Sequence, residues 1–208
     1  MNKSLLIAGA VVVLGIVGFV VYQRSQTISP TPEMVMENES SDTTPFISST
    51  PDTSELEAGG SSFSDPAGTF TFLYPSEYEL HTDDPQHIRI SKRGETQRAQ
   101  SEMSDGVLVV FEPINLGDKT LEEYVDTHIQ ESTANGMSEV IQAKKPSSLN
   151  NYPGITYSLR GLGETSYLVL QKDAQSDKAV SISFLVADPE NKGYQQELES
   201  ILSTLELH

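Results

Sequence analysis

The segment GTFTFLYPSEYEL, residues 68–80, is where the chain first shows the pattern of a packed fold. Threonine alternates with aromatic residues, so Phe70 and Phe72 lie on one face of a predicted strand. Pro75 has no backbone N–H to donate to a sheet, and we therefore expect the strand to end there. Alternation resumes at residues 77–80, which predicts a bend followed by a second short strand. The segment thus predicts the start of a β-rich domain.

Further strands are predicted before and after a helical segment. The sequence HIRIS, residues 87–91, alternates, whereas GVLVVF, residues 106–111, is a continuous apolar run that is typical of a strand covered on both faces. Four more strand patterns follow: SEVIQA, GITYSLR, SYLVLQK and AVSISFLVA. The connections GLGE and DAQSD are short enough for hairpin loops, so these strands are predicted to form an antiparallel meander.

Two segments have a helical period instead. The first predicted helix places on one face Leu121, Tyr124, Val125, His128 and Ile129. Thr120 and Glu123 have the spacing of a capping box at its start. The second predicted helix places on one face Tyr194, Leu198, Ile201, Leu202 and Leu205. Asp188-Pro189 predicts its cap and first turn. The order of elements predicts an α+β domain, in which a mostly antiparallel sheet packs with two amphipathic helices.

An uncharged apolar segment, LLIAGAVVVLGIVGFVVY, occupies residues 5–22. This length is close to the roughly 20 residues that a membrane-spanning helix needs, and no small-residue cleavage site follows it. The sequence therefore predicts an uncleaved transmembrane anchor over residues 1–24. Lys3 precedes the segment and acidic residues follow it, which favours a cytoplasmic N terminus. The rest of this single-pass protein would lie outside the cytoplasm.

Residues 25–62 have the composition of a flexible linker. Of these residues, 15 are Ser or Thr, four are Pro, seven are acidic and none is basic. Such a segment buries too little apolar surface to offset the entropy lost on ordering. As a flexible coil it would span roughly 30–40 Å. The globular domain is then predicted over residues 63–208, a length sufficient for an independent core.

Composition excludes several classes of function. The chain has 13 basic and 30 acidic residues, a formal charge of −17, and no cysteine. A nucleic-acid partner is excluded because phosphate binding needs a basic face. The lack of cysteine excludes disulfides, thiolate metal sites and thiol nucleophiles.

Four stretches carry a family resemblance: GTFTFLYPSEY at the domain start, LEEYVDTHI in the first helix, YPGITYSL in a strand, and ELESILSTLEL in the second helix. Through these stretches residues 63–208 resemble the PsbP-like superfamily, which is named for an extrinsic subunit of photosystem II. The resemblance implies an antiparallel sheet between helices. It also implies a bacterial type of protein that is tethered to a membrane outside the cytoplasm. It brings no shared catalytic set, so no functional residue is transferred to this chain.

The segment HTDDPQH, residues 81–87, contains the metal candidate of the sequence. A curled loop would bring together four potential ligands for zinc or manganese: His81, Asp83, Asp84 and His87. The alternative is a solvated polar turn, since Asp-Asp-Pro is ordinary turn chemistry.

Other polar groups have simpler interpretations. Lys92, Arg93 and Arg98 concentrate positive charge on an acidic domain and are a candidate site for an acidic partner, or else a solvated loop. Residues 188–199 match the spacing of a calcium loop, but Lys192 would place a cation among the ligands, so a helix is the preferred interpretation. His128 is predicted to be a half-buried packing residue of the first helix.

Together these observations predict a membrane-anchored, extracytoplasmic interaction module. We expect it to be a non-enzymatic monomer without a cofactor and to bind another extracytoplasmic protein. A metal- or small-ligand-binding domain that uses residues 81–87 is one alternative. A cell-envelope hydrolase is the other, although Gly-x-Ser-x-Gly does not occur and the sequence singles out no pair of carboxylates.

Overall fold

The computed structural model describes residues 59–98 and 102–208. The predicted anchor, residues 1–24, and the linker up to residue 58 lie outside the described residues, so both remain predictions. In the described part of the chain, no helix combines the length and the apolar character needed to cross a membrane. The first strand begins at Ser61, slightly before the predicted domain boundary at residue 63.

The described residues form ten strands and two helices. In chain order they are β1 Ser61–Ser64, β2 Phe70–Tyr74, β3 Glu79–His81, β4 Ile88–Arg93, β5 Gly106–Asn115, α1 Leu121–Thr133, β6 Glu139–Leu149, β7 Tyr152–Arg160, β8 Glu164–Gln171, β9 Lys178–Ala187, α2 Tyr194–Ser203 and β10 Glu206–Leu207. This order confirms the predicted α+β class.

The strands form two sheets in which every pair is antiparallel. The large sheet has the order β3-β4-β5-β9-β8-β7-β6, and the small sheet has the order β1-β2-β10. The sequence did not predict this division. The strand of the opening segment, β2, pairs with β1 and with the C-terminal β10 rather than with β3. Pro75 lies where the chain leaves the small sheet, so the predicted bend is also the passage between sheets.

The larger core lies between the two sheets and α2. Phe70 and Phe72 share one face of β2, as predicted, and both are buried. Their rings stack on Phe111 of β5, with centroids 5.6 and 4.4 Å apart. From α2, Leu198 and Ile201 are fully buried in the same core. The small sheet and α2 therefore cover one face of the large sheet.

A smaller core lies on the opposite face, beneath α1. Val125 of α1 packs there among side chains of β5, β7, β8 and β9, which include Ile114, Tyr157 and Val169. Val107, by contrast, faces the larger core. The two faces of β5 thus contribute to separate cores, and its residue in the smaller core, Ile114, lies beyond the apolar run GVLVVF.

The two helices begin differently. At α1 the predicted capping box is present: the Glu123 amide donates to Oγ1 of Thr120 at 3.2 Å, and the Thr120 amide donates to the Glu123 carboxylate at 2.8 Å. At α2 the predicted cap is wrong. The helix starts at Tyr194 after Gly193, which has φ 89°. Asp188 instead accepts the backbone N–H groups that lead into the helix, including those of Lys192 and Gly193 at 2.7 and 2.9 Å.

A tight turn between β6 and β7 fixes the other end of α2. Asn150 and Asn151 occupy the left-handed region, with φ 51° and 66°. The side-chain amide of Asn150 donates to the carbonyls of Leu202, Ser203 and Leu205 at 3.1, 3.0 and 2.9 Å. Leu202 and Ser203 lie in the last turn of α2 and Leu205 follows its C-cap, so these bonds hold the end of the helix against the turn. One turn of the large sheet thus caps the helix that lies over it.

Candidate functional site

Four connections meet at one end of the large sheet, which we call the loop end. They are the β4–β5 connection, in which residues 94–98 and 102–105 are described, and residues 134–138 between α1 and β6, 161–163 between β7 and β8, and 188–193 between β9 and α2. The register places these connections together. Gly106 pairs with both Arg93 and Ala187, and Arg160 pairs with both Glu139 and Glu164.

The predicted metal ligands lie around the β3–β4 connection, at the other end of β4. Asp84 and His87 are the pair that meets there: Nδ1 of His87 lies 2.8 Å from Oδ2 of Asp84. The Gln86 amide also donates to Asp84, at 2.9 Å. The hydrogen bond with His87, followed by that from Gln86, holds the pKa of Asp84 below its usual value. This arrangement is a polar turn closed by its own side chains.

The other two candidate ligands have different neighbours. Nε2 of His81 lies 3.7 Å from the carboxylate of Glu79, and Asp83 lies 3.7 Å from the guanidinium of Arg89. Among residues 59–98 and 102–208, no three His, Asp or Glu side chains are grouped so that they could hold a metal ion. A site at residues 81–87 would require these side chains to leave their present neighbours, and it stays a prediction.

The predicted basic patch starts at the end of β4, but its three members differ. Arg93 and Arg98 are exposed. Lys92 is directed into the protein, where its Nζ lies 2.8 Å from both carboxylate oxygens of Glu197 and 3.4 Å from Glu77. Lys92 is therefore engaged within the protein, and the patch that a partner could reach is limited to the two arginines.

Lys92 is the centre of a polar cluster that joins β4 to α2. Its Nζ lies 5.7 Å from the ring centroid of Tyr78 and 5.6 Å from that of Tyr194. The Tyr78 hydroxyl donates to Glu197 at 2.9 Å. Burial would lower the pKa of Lys92, but the hydrogen-bonded Glu197 carboxylate outweighs burial and raises it. Burial, with the charge of Glu197, raises the pKa of Tyr78. The cluster fixes α2 to the sheet, and no local sequence pattern signals it.

Asp105 is the last residue before β5 at the loop end. Its fully buried carboxylate accepts the amide and hydroxyl of Thr96 at Oδ2, at 2.9 and 2.7 Å. These hydrogen bonds lower the pKa of Asp105. Within the described residues, its Oδ1 is a buried side-chain oxygen without a hydrogen-bond partner. A Cβ on Gly94 would lie 2.0 Å from that oxygen, so position 94 requires glycine. The carboxylate therefore holds Thr96 next to the start of β5.

His128 lies between α1 and the sheet and is half-buried, as predicted. Its Nδ1 lies 2.8 Å from the hydroxyl of Tyr157, whose ring stacks on Tyr167 at a centroid distance of 4.8 Å. Burial lowers the pKa of His128, although the negative charges of Glu112 and Glu131 act in the opposite direction. The imidazole is thus used for packing and hydrogen bonding beneath the helix.

An apolar group is exposed at the loop end. In the described part of the chain, the large hydrophobic residues classed as exposed are Met137, Val140 and Leu162, at 71%, 44% and 86%. We call these three residues the apolar tip. Leu162 lies in the β7–β8 loop, Met137 in the α1–β6 connection and Val140 at the start of β6. Leu162 stands between two glycines in GLGE, a pattern that predicts the hairpin turn but not the exposure of its leucine.

A groove of about 410 Å³ lies elsewhere, between the small sheet and the C-terminal end of α2. Hydroxyl side chains line much of it, including those of Ser62, Ser64, Thr71 and Thr204. Thr71 lies 3.2 Å from Nε2 of His208 in an exposed contact. The groove is the concave surface that a small-ligand site would need, but it does not involve the 81–87 turn.

Comparison with known proteins gives similarities of structure alone. No protein-family model matches the sequence, and a search of curated proteins finds no match. The Ran-binding protein Mog1p of Saccharomyces cerevisiae matches over 72% of this chain and 95% of its own, with 13% identity and a TM-score of 0.44. Cyanobacterial PsbP from Synechocystis matches over 73% and 94%, with 14% identity and a TM-score of 0.46.

A protein of Bacteroides thetaiotaomicron matches over 72% of this chain and 48% of its own, with 14% identity and a TM-score of 0.40. A PsbP is thus among the solved structures to which this chain is similar. The likeness concerns the fold, and no activity or partner is taken from these three proteins.

Proposed function

We propose that the protein is a membrane-anchored, extracytoplasmic interaction module that binds a basic partner protein and has no catalytic activity. Residues 1–24 anchor it, and the linker that follows lets the domain search the space within roughly 30–40 Å of its attachment point. The described domain binds the partner.

The observation that supports this proposal is the charge of the domain and its arrangement. Residues 63–208 contain 11 basic and 23 acidic residues, a formal charge of −12. Several of the basic side chains lie within 4 Å of a carboxylate of the same domain: Arg89, Lys92, Lys144, Arg160 and Lys192. Each of these pairs removes one charge of either sign, so the negative excess of 12 remains after pairing. Such a field favours encounter with a basic surface and disfavours nucleic acids and anionic lipids.

The experiment is affinity capture by the full chain from detergent-solubilised membranes of its host. We expect a basic protein to be retained at about 0.1 M salt and released at about 1 M, because the screening length falls from about 10 Å to about 3 Å. The control variant replaces the exposed residues Glu95, Asp118 and Glu131 with lysine, and it should retain much less of that protein. Capture of nothing at low salt, or capture that salt and the control variant leave unchanged, would contradict the proposal.

A further inference from the structure

The apolar tip, Met137, Val140 and Leu162, has no role in the fold that explains its composition. In the β7–β8 loop the Gly161 amide donates to the Gly163 carbonyl at 2.9 Å. Leu162 between them contacts mainly solvent. Single exposed apolar residues are common on protein surfaces, but here the three large ones classed as exposed lie at adjoining strand ends.

The tip is held in place by its surroundings. Arg160 forms ion pairs with Glu139 at 3.2 Å and Glu164 at 3.6 Å, which link the starts and ends of three neighbouring strands. The Met137 amide donates to the side chain of Asn135 at 2.8 Å. A Cβ on Gly161 would lie 3.0 Å from Oγ of Ser138, so the hairpin loop lies directly against the α1–β6 connection. A surface fixed in this way loses little entropy on binding.

We infer that the apolar tip forms the centre of the interface and inserts into an apolar pocket with a basic rim on the partner protein. This inference rests on the proposed function. The rim of the tip carries two exposed glutamates against one arginine, Glu139 and Glu164 around Arg160. Its charge therefore has the same sign as the charge of the whole domain. Interfaces of this kind combine a desolvated apolar centre with a polar rim, and most of the binding energy comes from the centre.

The negative charge around the tip also distinguishes between the molecules that could cover it. A second copy of this chain would bring two negative rims and two domains of charge −12 together. An anionic bilayer would repel the same rim. An apolar pocket rimmed by Lys or Arg would cover the apolar side chains of the tip and form ion pairs with its glutamates.

The test uses the full chain in its own membrane, with a photo-reactive benzophenone side chain introduced in place of Leu162. A matched probe replaces Gln175, which is exposed in the β8–β9 connection at the opposite end of the sheet. We expect the probe at position 162 to crosslink to the salt-sensitive partner and the probe at 175 not to do so. Adding Met137→Asp to the first probe should reduce the crosslink by at least about tenfold, which is the effect of losing one buried apolar side chain. Met137 is exposed, so this substitution leaves the fold intact.

Each other outcome overturns the inference. Crosslinks from position 162 to lipid or to a second copy would assign the tip to a different occupant. Capture of the partner at low salt without a crosslink at 162, or a crosslink that Met137→Asp leaves unchanged, would reject the tip as the centre of the interface while the proposed function stands. If no partner is captured at low salt, the proposed function fails first and the inference fails with it.

Discussion

The hydroxyl of Tyr157 on β7 lies 2.8 Å from Nδ1 of His128 on α1. Tyr157 is fully buried, and burial raises the pKa of its hydroxyl, so the hydroxyl stays protonated. It donates to Nδ1 when that nitrogen carries no proton and accepts from Nδ1 when it does, so the tautomer of His128 sets the direction of the bond. Protonation of the half-buried imidazole places a charge beneath α1, where burial disfavours it.

We expect the stability of the domain to fall as the pH is lowered through the titration of His128. Burial lowers the pKa of this histidine in the folded state, so the unfolded chain binds the proton more readily. Stability is therefore complete above the unfolded value of about 6.5 and declines as the pH falls from there towards the lower folded value. Urea unfolding of residues 59–208 between pH 5 and pH 8 measures this slope.

The histidines elsewhere in the domain provide the control for this prediction. His128→Gln should remove most of the slope, whereas His81→Gln should preserve it, because His81 is exposed. A slope that is the same in both variants would show that another group is responsible.

Local patterns in the sequence predicted the elements that depend on local contacts. The helical period identified α1, and the capping box of Thr120 and Glu123 is formed as its spacing requires. Alternation identified β2, because Phe70 and Phe72 need only a common face to be buried together. In these cases the deciding interactions lie within a few residues along the chain.

Pairings between distant residues were not predictable in the same way. The β2–β10 ladder joins Phe70 to Leu207, and the cluster around Lys92 joins it to Glu197. Alternation along β4 places Lys92 on the face of the buried Ile88 and Ile90 and Arg93 on the opposite face, but nothing within a window of ten or twenty residues identifies Glu197 as the partner of Lys92. The mistaken cap at Asp188 has a local origin: its carboxylate accepts the amides of residues 192–194 across a loop rather than those of a first helical turn at residues 190 and 191.

Asn150 should contribute measurably to stability through its cap on α2. Replacing it with glycine keeps the positive φ of 51° accessible but removes the donor to three carbonyls. We expect Asn150→Gly to lower the free energy of unfolding by about 1–2 kcal/mol, since the carbonyls lose partners in a partly buried place. Chemical denaturation at neutral pH measures the change. Asn151→Gly is the matched control, and a loss of equal size there would assign the effect to the turn rather than to the cap.

The orientation of the protein in the membrane can be tested by proteolysis of intact cells. If residues 1–24 span the membrane with the N terminus inside, a protease added outside should cut within residues 25–58 and release the domain. Such polar, Ser- and Thr-rich segments are preferred sites of cleavage. Western blotting of the supernatant with an antibody against the C-terminal region detects the product. Protection of the chain until the membrane is breached would reverse the predicted topology.

The turn at residues 81–87 should not bind zinc or manganese. A metal bound there at a hundredfold excess over its dissociation constant would add ~2.7 kcal/mol of stability, which is roughly 5–10 °C in melting temperature for a domain of this size. We expect no such shift, because forming the site would require His81 and Asp83 to leave Glu79 and Arg89 and join the Asp84–His87 pair. Thermal unfolding with and without each metal at pH 7.5 and pH 5.5 gives the answer.

A genuine site at this turn would have a recognisable signature. Because ligand imidazoles must be neutral, stabilisation by the metal should be present at pH 7.5 and fade as the pH falls below about 6.5. His87→Ala would abolish it, whereas His128→Ala would lower the melting temperature of the metal-free domain without changing the metal-dependent increment. That combination would overturn the prediction and favour the ligand-binding alternative over the interaction module. The geometry favours the opposite result, since the 2.8 Å contact between Asp84 and His87 already satisfies both side chains without a metal.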